Sequence, residues 1–308
     1  MKCIIFGGGG FIGSAIVDRL LREGHSLRIF ERPGIAPFRE FSAHEDVEWV
    51  HGDFLSMADV SDAVAGVDTV LHLVSTTLPK SSNDDPVYDV STNVIGSLHV
   101  LNAMVMHGVR KIVFISSGGT VYGVPREVPV TETHPTDPTS SYGITKLTVE
   151  KYLHLYQHLH GLTPVILRVA NPYGERQSLK NGQGAIGLFL HAALTDRPIE
   201  IWGDGSIVRD YIYIADVAEA FAKAAVYSGP MTVFNIGAGY GVSLNELIEH
   251  LQTALDKPLI VNYKPARAFD VPASVLDIQR ARAELGWEPA TALGHGLGRT
   301  AQWLRSVL

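Results

Sequence analysis

Short, mainly apolar runs alternate with longer amphipathic stretches through the first half of the chain. Cys3-Ile4-Ile5-Phe6 and residues 26–30, 67–74, 111–115 and 164–167 have the length and β-branched content of buried strands. Between them the apolar positions recur at helical spacing, over about 11–23, 89–107 and 142–158. Such alternation predicts right-handed crossovers, hence an α/β fold with a doubly wound parallel sheet of the Rossmann kind. After Arg168 the rhythm loosens into a polar loop, a helix near 185–195, and strands at 199–202, 209–214 and 232–236. Helices follow after Ser243, after Asp277 and near 293–304. The change predicts a smaller α/β lobe interleaved with the sheet domain. Residues 1–168 plus about 206–236 are assigned to the sheet domain, and about 169–205 plus 237–308 to the lobe.

The first predicted strand runs into four glycines, Gly7 to Gly10, and then into a helix beginning near Phe11. The spacing Gly7-x-x-Gly10-x-x-Gly13 permits a sharp turn, a close approach of backbone to ligand, and tight packing of helix on strand. Free N–H groups at the helix start, over Phe11, Ile12 and Gly13, suit a pyrophosphate. A glycine-rich turn after a strand is also an ordinary tight turn, so the reading leans on its context. The next strand ends in Glu31, at about the 20-residue offset where a carboxylate accepts hydrogen bonds from an adenine ribose. Glu31 repels a 2′-phosphate and so selects NAD, while Arg32 beside it works the other way.

The 308 residues, 46% hydrophobic and 19% charged, describe a globular protein that buries about three quarters of its unfolded surface without disulfide or metal. The one cysteine, Cys3, reads as a core residue and leaves no intrachain disulfide, which fits a reducing cytoplasm. No apolar run approaches the ~20 residues of a membrane span. The net charge of −7 opposes a nucleic-acid partner. His154 and His158 share a helical face, but Leu155 stands where a zinc-protease motif needs glutamate, so no metal site is expected.

Tyr142 and Lys146 stand four residues apart on one predicted helical face. An ammonium beside a phenol favours the phenolate, so a tyrosine of ordinary pKa ~10 becomes a base near neutral pH, more so beside a positive nicotinamide ring. Tyr-x-x-x-Lys is frequent by chance. Its place, one strand-helix unit after a strand ending Ser116-Ser117, is informative, because open α/β sheets bind ligands beyond their strand ends. With these residues the chain resembles the extended short-chain dehydrogenase/reductase superfamily and, within it, the nucleotide-sugar epimerases typified by UDP-glucose 4-epimerase. The resemblance spans nearly the whole chain. It rests on the glycine motif, Gly52-Asp53-Phe54, His72-Leu73-Val74-Ser75, Asn93-Val94-x-Gly96 and Ser116-Ser117-Gly118-Gly119-Thr120-Val121-Tyr122-Gly123. Further on come Tyr142-x-x-x-Lys146, Asn171-Pro172-Tyr173-Gly174, Arg209-Asp210-Tyr211 and Leu285-Gly286-Trp287.

The resemblance implies roles. Asp53 and the adjoining Phe54 belong to the cofactor site, with Asp53 on the adenine amine. Leu73, Val74 and Ser75 lie along the cofactor, Asn93 supports the site, and Lys146 tunes Tyr142 and binds the nicotinamide ribose. The smaller lobe becomes the substrate-binding one. There Asn171, Arg209 and Arg267 match residues on the substrate diphosphate, and Asp270 matches the carboxylate on the nucleotide ribose; planar guanidinium forks suit phosphate. The family's catalytic Ser or Thr falls on Gly118, which has no hydroxyl. Thr120 is the first candidate for the missing donor, Ser117 the second, and a water the third. The Asp-Glu pair of related 4,6-dehydratases falls on Gly119-Thr120, which argues against dehydration. Ser274 stands at a gate position where a bulky aromatic resembles epimerases restricted to plain hexoses, and a small residue implies room for N-acetylated sugars. The resemblance thus implies an NAD-retaining 4-epimerase of a nucleotide-diphosphate sugar, a UDP-hexose or UDP-N-acetylhexosamine, working through a transient 4-keto sugar. It also implies a homodimer built on the helices near 89–107 and 142–158. The alternatives are a sugar-nucleotide 4-ketoreductase or dehydrogenase of the same superfamily, and a non-catalytic dinucleotide sensor.

Overall fold

The computed structural model describes residues 1–79, 81–179, 184–266 and 271–308. In chain order the first elements are β1 (Lys2–Phe6), α1 (Phe11–Arg22), β2 (Ser26–Glu31), β3 (Val47–His51), α2 (Met57–Val64) and β4 (Thr69–His72). Next come α3 (Pro86–Asp89), α4 (Gly96–His107), β5 (Lys111–Ser117), α5 (Ser141–His160) and β6 (Thr163–Val169). There follow β7 (Asn171–Tyr173), α6 (Ala185–Leu194), β8 (Ile199–Trp202), β9 (Val208–Arg209), β10 (Tyr211–Tyr213), α7 (Ile214–Val226) and β11 (Val233–Ile236). The chain closes with β12 (Val242–Ser243), α8 (Leu244–Leu255), β13 (Val261–Lys264), β14 (Ala273–Ser274), α9 (Gln279–Leu285) and α10 (Leu293–Val307). Seven strands make one sheet in the order β11-β6-β5-β4-β1-β2-β3, with every neighbouring pair parallel. This is the Rossmann-type sheet that the alternation of elements predicts. Strand order reverses between β1 and β4, so a crevice opens beyond their carboxyl ends.

Successive side chains of a strand face opposite ways, and here both faces are covered. Cys3 and Ile5 join Leu27, Ile29 and Leu71 under α1 and α7, whereas Ile4 and Phe6 join Phe30, Val70 and Phe114 under α2, α4 and α5. Burial pushes the Cys3 thiol up to about 12, so it is an inert core residue. The first of these clusters continues into Ile186, Phe189, Ile199, Trp287 and Leu304. The segments outside the sheet therefore share its core. They add small sheets of β7 with β10, β8 with β13, and β9 between β12 and β14.

Three departures from the sequence reading have local causes. β3 is an edge strand with no buried residue, so it shows no apolar run. Residues 209–214 are not one strand. β9 and β10 flank Asp210, whose buried carboxylate accepts the N–H groups of Ala238 at 2.6 Å and Leu276 at 3.2 Å, and α7 starts at Ile214. The helix expected near 89–107 is α3, a π-helical turn over Val90–Ile95, and α4. Single π turns of this kind cluster at functional sites. Among the described residues no helix is long and apolar enough to cross a membrane.

Candidate active site

The chain leaves β1 and turns on Gly7, whose φ of +88° lies in the left-handed region that glycine occupies without strain. Gly10 precedes α1 with no side-chain cap, and the first turn holds no acidic residue, so no side chain competes for the opening N–H groups over Phe11 to Gly13. Gly13 faces back into the fold: a Cβ there would stand 2.1 Å from the Gly7 carbonyl oxygen. At Gly10 the nearest atom to such a Cβ is 3.5 Å away. Glu31, at the end of β2, accepts the Gly9 N–H at 2.7 Å; burial raises its carboxyl, against that bond and the nearby Arg32.

A cleft of about 710 Å³ runs from Glu31, Arg32 and Asp53 past Gly7 and Gly10 to Leu73, Val74 and Ser75. Its size lies in the range of cofactor pockets. Asp53 turns one carboxylate oxygen onto the Leu55 N–H at 2.9 Å. Phe54 lines the cleft and lies over Gly96, where a Cβ would meet its ring at 2.2 Å. Phe11, Ile12 and Gly13 do not line it. The uncapped helix start, open Gly10 and a carboxylate at the end of β2 fit a dinucleotide.

The start of α5 is fastened by three capping bonds: Ser140 accepts the Gly143 N–H at 3.2 Å, Asn83 that of Ser141 at 2.9 Å, and Ser82 that of Tyr142 at 3.0 Å. One turn further on, the Lys146 ammonium lies 5.6 Å from the Tyr142 ring centre and 5.0 Å from that of Phe114, and donates to the Ile115 carbonyl at 3.1 Å. Val74, Ser75, Asp89 and Asn93 line the same small cavity as this pair. Asn93 donates to Asp89 at 2.9 Å and accepts the Thr76 N–H at 2.9 Å, pinning the loop after β4. Burial, then the charge of Asp89, pushes the Tyr142 phenol up to about 12, with the Ser75 hydroxyl opposing. Burial pushes Lys146 down to about 8, against Asp89 and Glu150. Burial and the charge of Asp89 thus oppose the phenolate that the Tyr-Lys spacing favours.

The turn after β5 packs on the same helix: a Cβ at Gly143 would stand 2.9 Å from the Thr120 carbonyl oxygen. The Thr120 hydroxyl is buried and has no hydrogen-bond partner among the described residues. Ser117 begins this turn, its carbonyl accepting the Val121 N–H at 3.1 Å. At Gly118 a Cβ would stand 2.5 Å from a methyl of Leu276, which fills the space a side chain there would need.

A second cavity, of about 400 Å³, is lined by Asn171, Arg209, Tyr211, Trp202 and Phe189 among others. Asn171 donates to the Asp210 carbonyl at 2.9 Å, and Arg209 to the carbonyls of Val208 and Val271 at 2.9 and 2.7 Å. Ser274, buried in β14, pairs with Arg209 across the strand. Arg267 and Asp270 lie outside the described residues.

A family model described as the NAD dependent epimerase/dehydratase family matches residues 3–237. The chain belongs to that family. It is 36% identical to the UDP-glucose 4-epimerase of Mycolicibacterium smegmatis, over 99% of each chain. It is 34% identical to the dTDP-4-dehydro-6-deoxyglucose reductase of Escherichia coli, over 98% of this chain and 97% of that one. Among solved structures, the UDP-glucose 4-epimerase of Thermotoga maritima with UDP-glucose superposes with a TM-score of 0.92, at 34% identity, covering 100% and 99% of the two chains.

Two residues of this NAD-dependent epimerase/dehydratase chain enter the candidate site without having been singled out from sequence. Tyr211 lines the second cavity, almost wholly buried, with its phenol unpartnered among the described residues; its only signal was its place two residues after Arg209. Asp89 lines the cavity of the Tyr142-Lys146 pair and had no signal, since Ser141 and Thr145, which tie it to the helix of that pair, lie far along the sequence.

Proposed function

We propose that this chain is an NAD-retaining 4-epimerase acting on a nucleotide-diphosphate sugar, with UDP-sugars as substrates. The observation that carries the reading is the junction at Val74 and Ser75, which line both the dinucleotide cleft and the cavity of Tyr142 and Lys146. Gly7, Gly10, Glu31, Asp53 and Leu73 to Ser75 would hold the cofactor. Bound there, NAD would supply the hydride acceptor and donor for C4 and a positive ring that favours a neighbouring phenolate. Tyr142 takes the proton of the 4-hydroxyl and later restores it. Thr120, its buried hydroxyl unpartnered among the described residues, donates to the same oxygen, with Ser117 as the alternative. Asn171, Arg209 and Tyr211 hold the diphosphate, joined by Arg267, with Asp270 on the nucleotide ribose. Ser274 leaves room for an N-acetyl group.

Residues 1–168 plus about 206–236 are assigned to the cofactor domain, and the remainder to the substrate lobe. Val87, Val90, Ile95 and Met106 from the α3–α4 region, with Ile144 and Leu159 of α5, are exposed apolar side chains that support a homodimer through these helices. The lone buried thiol supports a cytoplasmic setting.

A second reading, a 4-ketoreductase that exchanges its cofactor each turnover, is favoured by the likeness to the Escherichia coli reductase. Incubation with UDP-, dTDP-, CDP- and GDP-sugars, followed by proton NMR, separates the two. Inversion at C4 with no added cofactor, by protein purified with about one NAD per chain, supports the epimerase. Net oxidation or reduction that requires added cofactor supports the reductase.

A further inference from the structure

Asp89 ends α3 and is wholly buried. Its carboxylate accepts four hydrogen bonds, all from uncharged groups: the hydroxyls of Thr77 at 2.5 Å, Ser141 at 2.6 Å and Thr145 at 2.6 Å, and the Asn93 amide at 2.9 Å. Among the described residues it makes no ion pair. Glu150, the other buried carboxylate near Lys146, is matched differently. It takes a two-pronged contact from Arg168, at 3.0 and 2.6 Å, and a hydroxyl bond from Ser116. Lys146 is likewise a buried cation whose hydrogen bond goes to a carbonyl. Burying an unmatched charge is costly, and here two opposite ones line one cavity.

Ser141 and Thr145 bracket Tyr142 in the first turns of α5, so the same carboxylate that faces Lys146 also grips the helix carrying the phenol. We propose that Asp89 is a positioning residue of the site: its carboxylate locks the Tyr142 turn of α5 onto the end of α3 and is the negative charge that faces the Lys146 ammonium. The inference rests on Tyr142 and Lys146 being the reacting pair. Burial works against the charge of Asp89, but its hydrogen bonds from Ser141, Thr145, Thr77 and Asn93 hold the carboxyl below the ordinary range. The other titratable groups facing the pair are Glu150, neutralised by Arg168, and His72 on β4, which burial holds neutral by pushing it down to about 3. Removing one negative charge favours every deprotonated neighbour, so phenolate and free amine both form at lower pH.

The test compares Asp89→Asn with wild type as full-length protein, with and without added NAD⁺. The Lys146 side-chain resonance, assigned with Lys146→Met in ¹³C-lysine-labelled protein, is followed by NMR against pH. Its midpoint is expected to fall by roughly one pH unit, the low end of what an opposite charge contributes. Both limbs of the kcat profile are expected to move to lower pH together. A lysine midpoint and limbs that stay in place, beside a lowered plateau, would reduce Asp89 to packing and overturn the proposal. The lysine titration needs no substrate, so its result stands whether or not a UDP-sugar is epimerised.

If Asp89→Asn does not fold, Thr145 decides. Thr145→Val should lower kcat at least about tenfold, as a misplaced reacting group does, with KM unchanged because the diphosphate cavity is elsewhere. Thr145→Ser should restore it. Equal activity of valine and serine variants would overturn the positioning role.

Discussion

Gly10→Ala and Gly13→Ala should separate the two tasks of the glycine turn. A Cβ at residue 13 would lie 2.1 Å from the Gly7 carbonyl oxygen and 2.7 Å from the Gly8 Cα, both backbone atoms that no rotamer change can move. Overpacking of this kind costs ~1–3 kcal/mol, and a backbone clash belongs at the upper end. Alanine recovers up to ~1 kcal/mol of helix propensity. The net is about 2 kcal/mol, or about 4 °C in Tm at ~2 °C per kcal/mol for a chain of this size. At Gly10 the added carbon sits 3.5 Å from its nearest neighbour, an ordinary contact, so the fold loses at most the ~1 kcal/mol between glycine and alanine as a helix cap. That carbon stands where a pyrophosphate would approach the helix start. NAD affinity should therefore fall at least about tenfold, ~1.4 kcal/mol. Thermal melts read the first effect and calorimetric NAD titrations the second. A Gly10→Ala protein that binds NAD like wild type would refute the reasoning and leave the glycines a purely structural turn.

Tyr142→Phe should lower kcat about 10²-fold to 10⁴-fold, the range of general acid-base groups, with NAD still bound; near wild-type turnover would remove Tyr142 from the chemistry. Thr120→Val deletes a hydroxyl but nearly keeps its shape, so kcat should fall sharply with little change in KM, whereas a severely slowed Ser117→Ala beside an unaffected Thr120→Val would hand the role to Ser117. For Ser274→Tyr, kcat/KM should collapse for UDP-N-acetylglucosamine and hold for UDP-glucose; equal losses on both sugars would sink the gate argument.

What the sequence made legible is local. The strand, glycine turn and helix at 2–22, the carboxylate ending the second strand, and the Tyr142-Lys146 spacing each depend on residues a few positions apart, where periodicity and backbone sterics act directly. Asp89 is the opposite case. Asn93 is one helical turn away, but Thr77 and above all Ser141 and Thr145 are brought to it by tertiary packing. Gly118 gave notice that a hydroxyl was missing, but not that Leu276, far along the chain, fills its place. The surroundings of the phenol are a like case: spacing showed the lysine one turn away, and hid both the burial and the Asp89 carboxylate that oppose the phenolate.

Departure of hydride from C4 and its return within one active site can be followed with UDP-glucose deuterated at C4. Incubated with the purified protein in ordinary water and excess unlabelled NADH, the galacto product should carry deuterium at C4, read by NMR and mass spectrometry. Deuterium found in the free NADH pool, or a product with hydrogen at C4, would contradict the account and favour a reductase that exchanges its cofactor.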